Sequence, residues 1–398
     1  MTAPPPRVPR LRKEVIVLGL AALFNDMSSE MIFPLLPIFL TTYIGASPLA
    51  AGLIEGFAEA LSSILKLFAG SWSDRLSRRK PFIVGGYALA AASRLFIASA
   101  GRWPTVLAAR LVDRTGKGLR SAPRDAMIAE VTPAEHRGRA FGFHRALDHA
   151  GAVAGPLIAA LLLGALHLDL RTLFMVAIVP AAIGVIMLAF VLKEPARSPR
   201  VTESTSTSFS VPTKLRGPLV SVAIFYLANS SDIFLLLQAH AAGVSVAMLP
   251  VLWSAHHLFR VAFSTKMGGV SDRGGRKTLL VTGWLSYAAI YFAFPWATSL
   301  WMFVLLFLLY AIPFTLTEGA ERAWISELAG PHMQGKTFGF YYLTTGFCAL
   351  AGSALFGWLY QTVSPVAAFT TGAALSVLAA LSVSLQKSDR TPEPVAVS

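Results

Sequence analysis

Cysteine is almost absent. The 398-residue chain has one, Cys348, which excludes disulfides, cysteine-based zinc sites and thiol redox chemistry. Charge is scarce as well. Asp, Glu, Lys and Arg make up 14% of the residues, against about 25% in an ordinary soluble domain, so a water-soluble enzyme and a disordered chain are both excluded. Acids are the scarcer sign, 21 against 34 bases, and the net charge is +13. No small-residue cleavage site follows the Pro- and Arg-rich stretch Met1–Arg10, so removal of a leader is not expected. Apolar residues fill the space: 55% of the chain is hydrophobic and the mean hydropathy is +0.60.

A membrane-crossing helix takes ~20 apolar residues. Apolar runs bounded by turn signals give twelve spans, at 14–41, 48–72, 81–100, 104–130, 138–165, 172–192, 218–242, 245–267, 278–298, 299–328, 336–361 and 365–386. Almost nothing remains for a soluble domain. The expectation is an all-α integral membrane protein. Residues 1–192 form one six-helix bundle and 218–398 a second with a short cytoplasmic tail. A cytoplasmic Pro/Ser/Thr-rich linker joins them at 193–217.

Basic residues set the expected orientation. Between spans, 21 of the 34 Lys and Arg fall on the side where the chain begins, and Arg102 and Arg171 alone fall on the other. The positive-inside rule then puts both termini in the cytoplasm of a multi-pass protein of the cell (inner) membrane. This placement at span ends also explains the net charge without nucleic acid.

The two halves repeat each other. Gly70, Asp74-Arg75 and Arg78-Arg79-Lys80 after span 2 match Gly268, Asp272-Arg273 and Gly275-Arg276-Lys277 after span 8. Gly138-Arg139-Ala140-Phe141-Gly142-Phe143 after span 4 matches Gly335-Lys336-Thr337-Phe338-Gly339-Phe340 after span 10. Ser28-Ser29-Glu30 in span 1 matches Ser230-Ser231-Asp232 in span 7. Six spans per half make this a parallel repeat, which places a binding site between the halves near mid-membrane.

The pattern G-x-x-x-D-R-x-G-R-[RK] after spans 2 and 8 resembles the loop signature of the major facilitator superfamily, with Ser77 in place of one Gly in the first copy. Gly151 and Gly155-Pro156 in span 5 resemble the family's antiporter signature, with Ala159 and Ala160 where Gly is usual. The resemblance implies the major facilitator fold: twelve transmembrane helices in two pseudo-symmetric bundles, spans 3, 6, 9 and 12 outermost. It also implies a cytoplasmic gate at Gly70, Asp74, Arg75, Arg78, Gly268, Asp272, Arg273 and Arg276, with Glu130 and Glu327 as acidic partners. Asp113-Arg114-Thr115-Gly116-Lys117-Gly118 with Pro123-Arg124-Asp125 looks like a prokaryotic subset of mostly unassigned substrate. Some relatives there are tied to metal or siderophore handling.

Ten acids and eleven bases lie within spans. Each would cost about 2.5–3.5 kcal/mol facing lipid at mid-membrane, so they must pair or face water. Spans 6, 9 and 12 hold none in their interiors and span 3 only Arg94, in keeping with the outer positions that the resemblance implies. On span 4, Arg110, Arg114, Lys117, Arg120 and Arg124 share a wedge of about 120°. This stripe either receives an anionic group of a substrate or pairs internally with Asp113, Asp125, Asp148 and Glu321. Arg124-Asp125 aligns with Glu321-Arg322 with signs reversed, which suggests an Arg124–Glu321 bridge between halves.

Carboxylates at mid-depth are candidate proton carriers: Glu30 and Asp232, at matching repeat positions, then Asp26 and Glu318. Candidate substrate contacts are Arg114, Lys117, Arg120, Glu55, Glu59, Arg260 and Glu321. No metal-binding motif is present, and neither a metal nor another cofactor is expected. An enzyme is not expected either: His144 and Asp148 are one residue too close for the H-x-x-x-x-D of membrane acyltransferases, and no nucleophile elbow occurs. The expected partners are a small-molecule substrate, protons and the lipid bilayer. Nothing demands a second chain, so a monomer is expected. The function expected is proton-coupled export, by antiport and alternating access, of a small organic molecule of anionic or zwitterionic kind. The alternative is proton-coupled import of an organic anion or a metal chelate such as a siderophore.

Overall fold

The computed structural model describes residues 11–76, 78–133, 136–194, 211, 213–270, 275–329 and 334–386, with side chains omitted at 67, 70, 71, 74, 75, 138, 263–270, 326–329 and 334–336. Twelve helical segments follow one another: α1 (Lys13–Tyr43), α2 (Pro48–Arg75), α3 (Lys80–Ala98), α4 (Trp103–Val131), α5 (Arg137–Gly164), α6 (Leu170–Val191), α7 (Thr213–Ala241), α8 (Leu249–Val270), α9 (Arg276–Trp296), α10 (Leu300–Leu309 continuing as Ala311–Ala329), α11 (Gln334–Thr362) and α12 (Pro365–Ser384). Among the described residues, ten contain a stretch long and apolar enough to cross a membrane, and α4 and α8 do not. In α4 the cause is the basic stripe and its acids, which need an interior that is not hydrocarbon. The expected linker at 193–217 falls largely outside the described residues, and α7 begins inside its bounds, at Thr213.

Proline accounts for most of the irregular turns. It lacks an N–H and its ring clashes with the carbonyl four residues back. Pro34 and Pro37 turn the end of α1 into tighter and wider turns, Pro180 follows the break at Ala177 in α6, and Pro313 follows the break at Tyr310 in α10. The break in α7, between Ala228 and Ile233, has no proline. Its Asn-Ser-Ser-Asp side chains compete for backbone partners. Ser353 Oγ accepts the Ser231 N–H at 3.1 Å, and Ser231 Oγ accepts that of Ile233 at 3.4 Å.

Packing repeats as the sequence does. In the first half α1 packs on α5 and α6, α4 on α2 and α3, and α3 on α6. In the second, α7 packs on α11 and α12, α10 on α8 and α9, and α9 on α12. Each contact maps onto its counterpart by adding six. The halves meet through α2–α11 and α5–α8, which exchange under the same operation. Large apolar side chains face outward on peripheral segments, Phe190 of α6 at 84% exposure and Trp301 of α10 at 80%, as a lipid-facing surface requires.

Two glycines show why α1 and α5 approach so closely. A Cβ on Gly151 would lie 2.4 Å from the Leu23 carbonyl oxygen, and one on Gly155 2.3 Å from that of Met27. Backbone cannot yield as a side-chain tip can, so only glycine fits. The glycines of the expected antiporter motif (Gly151, Gly155) therefore have a packing role here, and Pro156 continues the helix on the same segment.

Candidate functional site

Between the halves lies a cavity of about 480 Å³, lined from α1, α2, α4, α5, α7, α10 and α11. It occupies the part of the molecule nearer the end where α1 begins. Fourteen of its lining residues are charged, seven of each sign, so it is polar and close to neutral. Asp125, Arg145, Glu318 and Arg322 on its walls keep side-chain exposures of 43–53%, and the cavity is wet. On the opposite side the halves touch. A Cβ on Gly56 of α2 would sit 3.0 Å from the Leu350 Cα of α11. Ser254 Oγ of α8 donates to the Val153 carbonyl of α5 at 2.9 Å. Trp253 packs against Phe33, ring centroids 5.1 Å apart.

The span-4 stripe divides. Arg110 is buried and holds Glu55 through two bonds of 2.5 and 2.7 Å, with Asp113 3.4 Å away. Arg114 contacts Asp113 at 3.0 Å, Glu59 at 3.5 Å and Glu55 at 3.6 Å. Arg94 of α3 lies 3.6 Å from Asp113. Glu59 also meets Lys66 at 3.6 Å. These residues form a closed ionic network across α2, α3 and α4. Arg124 pairs with Asp125 at 3.0 Å. Two bases stand apart. Arg120 lies over the Tyr87 ring, 4.5 Å from its centroid, and donates to the Gly86 carbonyl at 3.3 Å. Lys117, on the cavity wall, has neither an ion pair nor a hydrogen bond among the described residues.

The carboxylates divide in the same way. Glu318 is held by Arg260 at 2.9 Å and Arg322 at 3.2 Å, and Arg260 also covers the Phe314 ring. Three others have no ion pair among the described residues. Glu30 accepts the Trp253 Nε1–H at 2.8 Å, a bond from one half to the other. Asp232 accepts the Tyr310 hydroxyl at 2.8 Å within its own half and lies outside the cavity wall. Asp26 accepts from Asn25 at 3.0 Å and its carboxyl faces that of Asp148 on α5. These three can gain or lose a proton without breaking an ion pair.

One expectation changes. The bridge between Arg124 and Glu321 is not formed: Arg124 takes its sequence neighbour, while Glu321 is 3% exposed beside Tyr341 and its Oε1 makes no hydrogen bond. At the expected gate, Glu130 does receive an arginine, but from Arg79, through a two-bond pair at 2.7 and 2.9 Å. Arg78 is exposed, and Arg276 opens α9. The backbone N–H groups of Arg79 and Lys80 also donate to Glu194, at 2.7 and 2.8 Å. This loop is thus tied down within the first half. The side chains of Gly70, Asp74, Arg75, Gly268, Asp272, Arg273 and Glu327 lie outside the described residues.

A family model for the Major Facilitator Superfamily matches residues 18–255 and 218–397. The chain belongs to the major facilitator superfamily. An uncharacterized MFS-type transporter of Methanocaldococcus jannaschii is 32% identical over 93% of this chain and 94% of its own length. The class E tetracycline resistance protein of Escherichia coli is 27% identical over 87% of this chain and 88% of its own. A peptide transporter POT solved with sulfate has the same fold, with a TM-score of 0.78 at 13% identity over 93% of each chain. The chain is a membrane transport protein of this superfamily rather than an enzyme.

Among the site residues, Trp253, Tyr310 and Asp148 were not readable as partners of carboxylates. Asp148 was available from sequence as an in-membrane acid, but nothing local pointed it at Asp26. The donors from Trp253 and Tyr310 depend on which helices the fold brings together.

Proposed function

We propose that this major facilitator protein is a proton-driven exporter of a small organic anion. The halves 1–192 and 218–398, joined through 193–217, rock about the charged cavity. One observation carries the reading: in a chamber where most charges are paired, Lys117 on the wall makes no ion pair, Asp26 and Glu30 stand without a base, and Asp232, outside the wall, holds the matching position in the second half. The lysine suits an anionic group of the substrate. The unpaired acids suit a proton that alternates with it, because only a charge free of ion pairs can be neutralised without disrupting the fold. Glu318, clamped by two arginines, serves instead to fix α10.

The excess of bases at one set of span ends supports cytoplasmic termini in the cell (inner) membrane. With that orientation the cavity faces the cytoplasm, where an exporter loads. Similarity to the class E tetracycline resistance protein and the Gly155-Pro156 motif support the export direction. The protein works as a monomer.

The test compares the small-molecule content of cells lacking the gene with that of complemented cells, followed by flux of the altered compound in proteoliposomes with an imposed pH gradient. Export predicts that the compound accumulates in the deletion strain and that an opposing proton gradient drives its transport. Depletion of the compound in the deletion strain would instead mean import of an organic anion or metal chelate through the same cavity.

A further inference from the structure

A second cavity, of about 180 Å³, lies beside the large chamber in the second half. Tyr226, Glu318, Arg322 and Tyr341 line both, so the two spaces are adjacent. Glu321 is on the wall of the smaller one, 3% exposed, and its Oε1 has no hydrogen bond. Its neighbour Glu318 takes both nearby arginines, Arg260 and Arg322. Among the described residues no base comes within ion-pair distance of Glu321. The rest of the small cavity presents the rings of Phe225, Tyr226, Phe314 and Tyr341, the polar side chains of Asn229 and Thr317, and the two arginines that Glu318 holds.

The two adjacent spaces therefore have on the wall of one half a cation that makes no ion pair, Lys117, with Glu59 as its main charge neighbour, and deep in the other a carboxylate beside Tyr341 with one oxygen open. Leaving a carboxylate buried with an open oxygen is unfavourable. A ligand that supplies the missing donors offsets that cost. A carboxylate among aromatic faces suits an ammonium group, which gains charge-assisted hydrogen bonds from the one and cation–π attraction from the other. A ligand bearing only an anion would leave Glu321 Oε1 without a donor.

We propose that Glu321 and the rings around it form a subsite for a protonated amine, carried on the same molecule as the anionic group received by Lys117. The transported class is then the zwitterion, a small amine-bearing acid. The proposal rests on the reading of Lys117 as the anion contact.

The test uses the full-length protein in detergent, with α,ω-amino acids of three to eight carbons as probes. Each is compared with its N-acetyl derivative, which keeps only the anion, and its methyl ester, which keeps only the amine. Binding is read by thermal stabilisation and calorimetry. The proposal expects one chain length to bind best and either block to weaken it at least tenfold. Glu321→Gln should make free and N-acetylated probes bind alike, at an unchanged melting temperature. Glu321→Asp should restore part of the preference. Lys117→Gln should erase the preference for the free carboxylate.

If N-acetylated probes bind the wild type as tightly as free ones, and binding still needs Lys117, the amine subsite is wrong and the anion reading stands. If Glu321→Gln leaves the preference for the free amine intact, the assignment to Glu321 is overturned. If no probe binds in a Lys117-dependent way, both readings fail.

Discussion

The two halves of this transporter pack by the same plan and fill it with different chemistry. The interior of the first, around α2, α3 and α4, is an ionic network: Glu55, Glu59, Arg94, Arg110, Asp113 and Arg114 hold one another within 2.5–3.6 Å. The interior of the second is aromatic. Phe225 stacks on Trp284 at 4.8 Å, Tyr287 on Tyr291 at 4.2 Å, and Tyr310 packs against Phe314 at 5.0 Å. The contrast extends to the repeat pair Glu30 and Asp232. Glu30 accepts its bond from the other half and Asp232 from its own. One architecture thus supports an ionic interior in one half and an aromatic interior in the other, with charged side chains of both on the cavity wall.

Breaking the ionic half should have the largest effect. Arg110→Leu removes both hydrogen bonds to buried Glu55 and leaves it only Arg114 at 3.6 Å, while Asp113 keeps Arg114 and Arg94; loss of one partner of such a set costs up to about 3–5 kcal/mol. Its melting temperature and yield should fall well below those of the double variant Glu55→Leu/Arg110→Leu, which removes acid and base together. Equal loss in both would mean that the network contributes packing and not charge balance.

The bond between the halves comes next. Trp253→Phe removes the donor to Glu30, a hydrogen bond of the charge-assisted class worth about 1.5–3 kcal/mol. The population open on the side away from the cavity should rise roughly tenfold or more. Spin labels at Ser47 and Ser245, on loops of the two halves, would read this as a longer distance. An unchanged distance distribution would show that the apolar contacts alone hold that side shut.

Tyr310→Phe is the counterpart in the aromatic half. It removes one donor to Asp232 and keeps the ring stack, so a stability loss of about 1–2 kcal/mol is expected with no change in the labelled distance. A change in that distance would end the distinction between the two carboxylates. Smallest should be Arg124→Gln. Arg124 is 14% exposed, but its acid, Asp125, is half exposed and adjacent in sequence; such a partly screened pair contributes about 1 kcal/mol, so the melting temperature should fall by only a few degrees.

Much of the ionic half could have been read one step further from sequence. Glu55 and Glu59 are four apart, as are Arg110 and Arg114, and α2 and α4 run in the same direction, so the two pairs meet in register: Glu55 with Arg110, Glu59 with Arg114. The stripe itself was legible, but not that it divides into paired Arg110, Arg114 and Arg124 and unpaired Lys117. The aromatic half carried no such signal, because rings serve core, lipid interface and site alike. Arg124 illustrates the limit. Repeat alignment points it at Glu321, while the folded chain gives it the adjacent Asp125, which requires no approach of the two halves.

Sequence alone determined the all-helical, membrane-type character, the duplication and the gathering of charge in the interior. These follow from local hydropathy and spacing, since each helix must satisfy its own backbone and present apolar residues to hydrocarbon. Tertiary structure alone decided which charges were left without partners. Pairing is a matter of a few ångströms between side chains on different helices, and the close α1–α5 contact at Gly151 and Gly155, like the α2–α11 seal at Gly56, sets those distances from far along the chain.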